Sequence, residues 1–448
     1  MQNDNILKEA KKVYFLGIGG IGISAIARMM LENKVDSSDD KMLEKIVSGS
    51  DRSLSELTNE LKGLGANVFE GHSDNNLADD TDLVIYSPAI PESNPVRVKA
   101  KKLGIPELSY PEALGLISKD KYTIAVSGTH GKTTTTAMLG EALIKAGLNP
   151  TIVVGSLFKG RNSNFVAGES DYLVCEACEY KRSFLNLHPN IVVITNIDLD
   201  HLDYYKDLED MQSAFIELVS KIPKDGYLVC DPNHENLGPV VEKANCNIVD
   251  YSTFVDPKLK VPGKHNLDNA KAVLAVAKAV GVNEIKTVDS LENFEGVWRR
   301  FEHKGVSENG AVVYDDYAHH PTEIKASLKG AREFFGSAPA KKGKIRCVFQ
   351  PHLYSRTKLL LDDFAESFGD VDEVIIADIY AAREVDNGEV HAKDLVNGIN
   401  KKEKNIEALY FGSFEEIEKY LKENAQEGDV IITMGAGDIY KVGERLVE

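Results

Sequence analysis

Residues 122–134 read Tyr122-Thr-Ile-Ala-Val-Ser-Gly-Thr-His-Gly-Lys-Thr-Thr134. The apolar run at the start predicts a β-strand, and the threonines and alanines that follow predict a helix. A glycine turn between them presents bare backbone N–H groups, and the helix dipole favours anions. We predict an ATP phosphate loop in which Lys132 reaches the β- and γ-phosphates and Thr133 binds Mg²⁺. The residues of this phosphate loop are Gly128, Thr129, His130, Gly131, Lys132, Thr133 and Thr134.

The spacing in this loop is GxxGKT, which is shorter than the general GxxxxGK[ST] pattern. A glycine-rich turn with a chance lysine is the alternative interpretation. The coincidence of strand, glycines, Lys-Thr and helix argues against it. His130 either touches phosphate or simply fits the turn.

Strand and helix signals alternate along the whole chain in three blocks, as they do in parallel α/β proteins. We predict three α/β domains over residues 1–118, 119–304 and 305–448. The predicted strands are 13–16, 46–48, 83–86, 122–126, 172–175, 191–195, 311–314, 345–349, 374–377 and 430–433. The predicted helices are 24–31, one from the phosphate loop to about 146, and 267–280.

The bulk properties exclude several classes of protein. The 448 residues carry a formal net charge of −18, which argues against a nucleic-acid partner. No apolar run reaches the ~18–20 residues that cross a bilayer, and the first residues lack a signal-peptide pattern. We therefore expect a cytoplasmic protein without membrane insertion. Of the five cysteines, Cys175 and Cys178 have CxxC spacing, but no second pair completes a zinc site, so we expect reduced structural cysteines.

A second glycine turn opens the first block. Gly17, Gly19, Gly20 and Gly22 lie between a predicted strand and a predicted helix, and the next strand ends at Asp51. This pattern suits a dinucleotide such as NAD, and an oxidoreductase is the runner-up class. The spacing to Asp51 exceeds the usual ~20 residues, and the chain already has an ATP loop. The diphosphate of another nucleotide, such as a UDP-sugar, fits the same turn.

Acidic residues follow two strands of the central block. Glu176 and Glu179 follow one strand, and His201 lies in an acidic segment after the next. The carboxyl ends of parallel strands share one edge of a sheet, so these groups should lie beside the phosphate loop, where oxygen ligands suit Mg²⁺. For the acidic residues of the second segment, a solvated loop is an equal alternative. These residues are Asp198, Asp200 and Asp203.

Two further sets of polar residues lie just before the third block and within it. Arg299 and Arg300 precede the third block, where paired arginines can clamp a triphosphate, although a surface basic pair is the common alternative. Polar runs also follow two strands of the third block, at residues 314–321 and 349–357. Two such strand ends in one domain predict an edge of the sheet that binds a ligand. The alternative, that both runs are ordinary polar loop tips, explains one such run better than two.

Taken in order, eleven segments of the chain closely resemble the Mur ligase family. The resemblance covers nearly the whole sequence, and YDDYAHHPTE and FQPHLYSRT point to the branch that adds alanine or to its relative that adds a peptide. The segments are GIGGIG (17–22), SGSD (48–51), YSPAI (86–90), SGTHGKTTTT (127–136), EACE (176–179), NIDLDHLDYY (196–205), GKHNLDNA (263–270), RRFE (299–302), YDDYAHHPTEI (314–324), FQPHLYSRT (349–357) and MGAGDI (434–439).

The resemblance implies a Rossmann-like N-terminal domain for a UDP-sugar, a central ATPase domain and a Rossmann-like C-terminal domain for an amino acid. It implies an ATP- and Mg²⁺-dependent ligase that joins L-alanine, or a tripeptide in the alternative, to the lactyl carboxylate of UDP-N-acetylmuramate. A monomer or weak homodimer is expected.

The resemblance also implies roles for single residues. Catalytic roles fall to Lys132, Glu176, His201 and Arg300, with Thr133, Glu176 and His201 holding the metal. UDP-sugar contacts fall to the glycine turn, Asp51 and Ser87. The remaining ATP contacts are Asn266, Asn269, Arg300 and Asp316, with His265 nearby, and the amino-acid contacts are His320, His352 and Arg356.

The chain departs from the family pattern at several points. EACEYKRSFL replaces the commoner EADESDxSFL, and Leu353 stands where many relatives carry arginine. Ile216 occupies the position at which related ligases carry a carbamylated lysine, so that role is not assigned. Residues 35–45 resemble an insertion.

Overall fold

The computed structural model describes residues 4–32, 45–158, 163–201, 204–336, 343–382, 384–403 and 405–448. Asp203 and nearly all of the predicted insertion at 35–45 lie outside these residues. The described residues form three parallel-rich sheets of five, seven and six strands with helices between them. The predicted three-domain α/β fold is therefore confirmed.

The N-terminal sheet has the strand order β3-β2-β1-β4-β5, and every pair is parallel. The order reverses between β1 and β4, and ligands bind beside such a reversal at the carboxyl ends of the strands. Its elements are α1 (Ile6–Glu9), β1 (Lys12–Leu16), α2 (Ile21–Glu32), β2 (Ile46–Asp51), α3 (Glu56–Gly63), β3 (Asn67–Glu70), β4 (Leu83–Tyr86), α4 (Pro95–Leu103), β5 (Glu107–Ser109) and α5 (Tyr110–Lys119).

The central sheet has the order β12-β11-β10-β6-β9-β7-β8, parallel except for the β7–β8 pair. The strand before the phosphate loop, β6, lies between β10 and β9, so the acidic segments after those strands flank the loop. Its elements are β6 (Tyr122–Ser127), α6 (Lys132–Ala146), β7 (Thr151–Phe158), β8 (Ser163–Val166), β9 (Tyr172–Glu176), β10 (Ile191–Ile194), α7 (Leu208–Val219), β11 (Tyr227–Cys230), α8 (Gly238–Lys243), β12 (Asn247–Asp250), α9 (Lys264–Ala279) and α10 (Glu284–Glu292).

The C-terminal sheet has the order β13-β14-β18-β15-β16-β17, parallel except for the β13–β14 pair. Its elements are β13 (Glu302–Val306), β14 (Val312–Asp316), α11 (Pro321–Gly336), β15 (Ile345–Phe349), α12 (Tyr354–Leu359), α13 (Leu361–Ala365), β16 (Glu373–Ile376), α14 (Ala392–Lys402), β17 (Glu407–Tyr410), α15 (Phe414–Asn424), β18 (Val430–Met434) and α16 (Tyr440–Val447).

The chain divides into two compact units. One comprises Met1–Pro257 with Asp268–Leu291, and the other comprises Lys258–Leu267 with Glu292–Glu448. The first unit contains the N-terminal and central sheets, whose buried side chains form a shared hydrophobic core. The domain boundaries given from the sequence stay a prediction. Among the described residues, no helix has the length and hydropathy needed to cross a membrane.

Candidate active site

The phosphate loop has the strand–turn–helix form that the sequence predicts. β6 ends at Ser127, and α6 begins at Lys132. Gly128 and Gly131 have φ of +126° and +84°, a region that L side chains rarely adopt. A Cβ at Gly128 would lie 2.1 Å from Thr195 Oγ1, so only glycine fits there. The turn therefore leaves the first N–H groups of α6 open to an anion.

Asn196 fixes the middle of the loop from the end of the neighbouring strand. Its Oδ1 accepts from the His130 N–H at 2.9 Å, and its Nδ2 donates to the His130 carbonyl at 3.1 Å. Thr129 Oγ1 donates to the Asp198 carbonyl at 2.9 Å, and His130 Nε2 lies 3.4 Å from an Asp198 carboxylate oxygen. Residues of the second acidic segment therefore hold the phosphate loop in its conformation. Neither of the two interpretations of these acidic residues, Mg²⁺ ligands or a solvated loop, predicts this role.

Lys132 folds back over its own loop. Its Nζ donates to the carbonyls of Gly128 and Thr129, and it lies 3.0 Å from Glu179 Oε1. Burial alone would lower the pKa of this lysine, but the negative charge of Glu179 raises it above its ordinary value. The lysine is a fixed cation at the predicted position of the β- and γ-phosphates.

Glu179 is the buried carboxylate of this site. Its side chain is 1% exposed, and it contacts Lys132 Nζ and, at 3.5 Å, His201 Nε2. Burial would raise the pKa of Glu179, but Lys132 and His201 outweigh that effect and lower it. Its Oε2 is buried and has no hydrogen-bond donor within the described residues. An ionised oxygen without a donor is suited to a metal cation.

Glu176 ends strand β9 and contacts the strand beside it. Its Oε1 accepts from the Gly155 N–H at 2.6 Å, on the neighbouring strand β7. The carboxylate that meets Lys132 and His201 belongs to Glu179, three residues later. The geometry thus adds Glu179 as a candidate at the phosphate side, and the role predicted for Glu176 stays a prediction. The EACE motif contains both residues, and only the turn between them decides which one points to Lys132.

His201 has a left-handed backbone conformation, with φ of 54°. Its ring lies 4.8 Å from the Tyr180 ring, centroid to centroid. The Tyr205 hydroxyl donates to the Glu179 carbonyl, which ties the same segment to the glutamate. Strained residues of this kind cluster at functional sites.

The second glycine turn lies at the strand-order reversal of the N-terminal sheet. The Gly19 N–H donates to Asp51 Oδ2 at 2.8 Å, and the Gly20 N–H donates to the Gly17 carbonyl at 3.0 Å. Gly17 has φ of +82°, and a Cβ there would lie 3.1 Å from Ser87 Cβ. The structure thus brings together the residues predicted to hold the UDP-sugar.

The same turn also packs on α5 of its own domain and on β8 of the central domain. A Cβ at Gly22 would lie 2.6 Å from the Tyr110 ring, so glycine allows the ring to approach the start of α2. Asn164 of β8 donates to the Ile21 carbonyl and to Ser24 Oγ, at 2.9 Å for the latter. Sequence reasoning missed Tyr110 and Asn164 because neither lies in a recognisable motif.

In the second unit, the two arginines have different surroundings. Arg299 is buried and donates to Asp315 Oδ2 at 2.8 Å, and to the carbonyls of Gly437 and Gly435 at 2.9 Å and 2.6 Å. Arg300 lies over the Tyr317 ring at 5.1 Å. The two arginines therefore do not act as a matched pair of phosphate ligands, because Arg299 is hydrogen-bonded to acceptors of its own domain.

Asp316 ends strand β14 and is buried. Burial raises its pKa to about 6, although a hydrogen bond from Ser327 and the charge of Arg300 act in the opposite direction. A carboxyl group with a raised pKa beside an arginine is common at functional sites. Its contact with the ATP ribose stays a prediction.

The predicted amino-acid contacts lie at the carboxyl edge of the C-terminal sheet. Arg356 Nη1 lies 3.4 Å from His352 Nδ1, and the His352 ring stacks on Tyr380 at 5.6 Å. His320 is buried, and its Nδ1 accepts from the Thr322 N–H at 3.3 Å. His352 and Arg356 therefore form one group.

The residues predicted near the adenine lie on the first turns of α9. Asn269 Oδ1 lies 2.5 Å from the position of a Cβ at Gly131, so this asparagine contacts the phosphate loop. Asn266 donates to the Pro262 carbonyl at 2.6 Å. A Cβ at Gly263 would lie 2.5 Å from the His265 ring. The structure therefore brings Asn269 to the phosphate loop.

A phosphate loop whose lysine contacts a buried glutamate, together with a second glycine turn at a strand-order reversal, is typical of nucleotide-dependent enzymes of the α/β class. Three family models match consecutive parts of the chain. They are the Mur ligase family catalytic domain (residues 12–122), the Mur ligase middle domain (126–255) and the Mur ligase glutamate ligase domain (299–437).

Curated relatives agree with these matches. The UDP-N-acetylmuramate–L-alanine ligase of Clostridium botulinum (strain Loch Maree / Type A3) is 43% identical over 100% of both chains. The ligase of the same name from Acetivibrio thermocellus is 42% identical over 98% of this chain and 96% of its own. The crystal structure of the UDP-N-acetylmuramate–alanine ligase of Thermotoga maritima is 30% identical, with a TM-score of 0.79 over 97% of this chain and 98% of that one. The chain belongs to the Mur ligase family.

Proposed function

We propose that the protein is an ATP-dependent ligase that joins L-alanine to the lactyl carboxylate of UDP-N-acetylmuramate. Full-length relatives of 42–43% identity carry the name UDP-N-acetylmuramate–L-alanine ligase. The single structural observation behind the proposal is the contact of Lys132 with the buried Glu179 at the phosphate loop. That pair supplies the fixed charges that phosphoryl transfer requires.

A free carboxylate is a poor acylating agent, so it must first be activated. In the proposed reaction the lactyl carboxylate attacks the γ-phosphorus of ATP, which gives an acyl phosphate and ADP. The alanine amine then attacks the acyl carbon, and inorganic phosphate leaves. Lys132 and Arg300 neutralise the phosphate charge and orient the groups.

Mg²⁺ fits the donor set at the phosphate side. Thr133, Glu179 and His201 would hold it, because Glu179 Oε2 is ionised, buried and lacks a donor in the described part of the chain. Bound there, the ion would neutralise charge on the phosphates. Glu179 joins Glu176 as a candidate ligand, and the role predicted for Glu176 stays a prediction.

The remaining contacts follow the carboxyl edges of the sheets. The glycine turn with Asp51 and Ser87 would bind the UDP-sugar, and Asn266, Asn269 and Asp316 would border the ATP nucleoside. Arg356, grouped with His352, would bind the alanine carboxylate, and His320 would be a further contact of the amino acid. We also propose that the enzyme acts in the cytoplasm. We expect a monomer or weak homodimer, and size-exclusion chromatography measures this oligomeric state.

The decisive experiment measures ADP release with UDP-N-acetylmuramate, ATP, Mg²⁺ and a panel of acceptors. The panel contains L-alanine, glycine, L-serine and the tripeptide L-alanyl-γ-D-glutamyl-diaminopimelate. We expect L-alanine to give the highest kcat/KM. Preference for the tripeptide would replace the proposal with a peptide-adding ligase, and absence of ADP release with every acceptor would contradict it altogether.

A further inference from the structure

The turn of residues 87–90 flanks the second glycine turn, and Pro88 and Ala89 within it are exposed to solvent. Ser87 and Ile90 are the neighbours that a Cβ at Gly17 would meet. Within the turn, the Ile90 N–H donates to the Ser87 carbonyl at 2.9 Å. A short exposed turn needs external support to hold one conformation for a ligand.

Arg97 of helix α4 contacts this turn from the buried side. Its Nη1 donates to the Ile90 carbonyl at 3.2 Å, and its guanidinium lies 3.8 Å from the centre of the Tyr86 ring. Tyr86 directly precedes the turn, and Ile90 is its last residue, so one side chain contacts both ends. Arg97 is 6% exposed, and its planar group keeps one orientation.

Glu107 of strand β5 fixes the arginine in turn. Its Oε1 accepts from Arg97 Nε at 2.9 Å, and the two side chains are 8% and 12% exposed. A buried ion pair is weak grounds for stability, because desolvation opposes the attraction between the charges. The pair does help to fix the position of Arg97, because the Nε, the Nη1 and the face of its guanidinium each have a different partner.

We propose that Arg97 is a positioning residue for UDP-sugar binding, which it supports by holding the 87–90 turn against the second glycine turn. The inference rests on the proposed function, since the ligand of this turn is the UDP-sugar. Arg97 touches no substrate itself. Lysine cannot replace it, because an ammonium group cannot pair with Glu107, donate to Ile90 and cover the Tyr86 ring together.

The test measures the Kd of UDP-N-acetylmuramate by titration calorimetry without ATP, for the full-length protein and for Arg97→Met. We expect the Kd to rise about tenfold, in line with the loss of one charge-assisted hydrogen bond. The KM for ATP should stay within about twofold, because the phosphate loop lies in another domain. Arg97→Lys should fall between the two.

Arg28→Met is the matched control. Arg28 is 7% exposed, lies in the same domain and pairs with Glu60, but contacts α3 rather than the 87–90 turn. Both variants should unfold at a lower temperature, and only Arg97→Met should lose UDP-sugar affinity. Should Arg97→Met fail to fold, Glu107→Gln takes its place with the same expectation of weaker UDP-sugar binding.

Two outcomes overturn the inference at different levels. If the unmodified protein ligates alanine and Arg97→Met binds the UDP-sugar with unchanged Kd, Arg97 serves stability alone and the proposed function stands. If the unmodified protein does not bind UDP-N-acetylmuramate, the proposed function fails and takes the inference with it.

Discussion

Glu179→Gln is the substitution that tests the candidate active site most directly. It removes one charge and keeps the volume of a side chain that is 1% exposed. At the 3.0 Å between Lys132 Nζ and Glu179 Oε1, an effective dielectric constant of about 20 gives an attraction of about 5 kcal/mol. The desolvation of both groups offsets part of it, and Lys132 keeps two carbonyl acceptors. We therefore expect a loss of about 3 kcal/mol in the free energy of unfolding.

The loss in activity should be larger than this change in stability suggests. Glu179 contacts Lys132 and His201, and in the proposed function it also binds the metal, so kcat should fall by about 10²–10³. The assay is ADP release with saturating UDP-N-acetylmuramate and L-alanine. Glu176→Gln is the control, three residues away, and should keep kcat within about tenfold. Near-normal kcat in Glu179→Gln, or a greater loss in Glu176→Gln, would refute the reasoning.

The effect of Glu179→Gln on the free energy of unfolding should depend on pH. The pKa of Glu179 is lowered below its ordinary value of 4.5, so its contribution to stability is present above that value and is lost as the pH falls through the folded pKa. Urea unfolding at pH 7 and pH 4 should show the difference between the protein and Glu179→Gln shrinking in acid. A difference that grows in acid would contradict the charge assignment.

Three further predictions follow from single contacts. Lys132→Ala should abolish ligation while leaving UDP-sugar binding intact, and activity like that of the unmodified protein would sink the proposed mechanism. Gly128→Ala should prevent nucleotide binding because its Cβ would lie 2.1 Å from Thr195 Oγ1; Gly147→Ala, at φ of +90° with no neighbour within 4 Å, is the control for backbone strain alone. Asp316→Asn should stabilise the protein above pH 6, because burial raises the pKa of this carboxyl from 3.8 to about 6 and its ionisation in the folded state then costs about 3 kcal/mol. Urea unfolding at pH 8 and pH 4 checks this: the gain should fall to about 0.5 kcal/mol at pH 4, and an equal gain at both values would show another cause.

The strands that the sequence predicts are those buried within the sheets. Ile191–Ile194 and Ile345–Phe349 are apolar and fully buried, so their composition alone identifies them. The missed strands include edge strands, whose residues remain accessible. Asn247–Asp250 at one edge of the central sheet is half exposed, and Glu302–Val306 at one edge of the C-terminal sheet reads Glu-His-Lys-Gly-Val, with a single apolar side chain. Their strand form depends on pairing with a neighbour, which a local pattern does not encode.

The glycine turns were predictable, but the choice of carboxylate was not. Gly128 and Gly131 follow from the need for positive φ and close approach at a helix start. Glu176 and Glu179 are the same residue type, three positions apart, at the end of β9 and just after it. The chain direction after Glu176 decides between them, and that direction depends on the packing of Ala177, which is buried.

The contact of Lys132 with Glu179 has a consequence for the form in which the nucleotide arrives. Before any ligand binds, the lysine charge is already balanced by the glutamate and capped by two carbonyls of its own loop. A bare triphosphate would therefore bring several negative charges to a pocket with no net positive charge left on this pair. A triphosphate that carries a divalent cation brings its own counter-charge to Glu179 Oε2, which has no hydrogen-bond donor among the residues that the structure describes. The pair therefore favours a triphosphate that carries a divalent cation over a free triphosphate. We expect the affinity for the nucleotide to rise steeply with the concentration of the divalent ion.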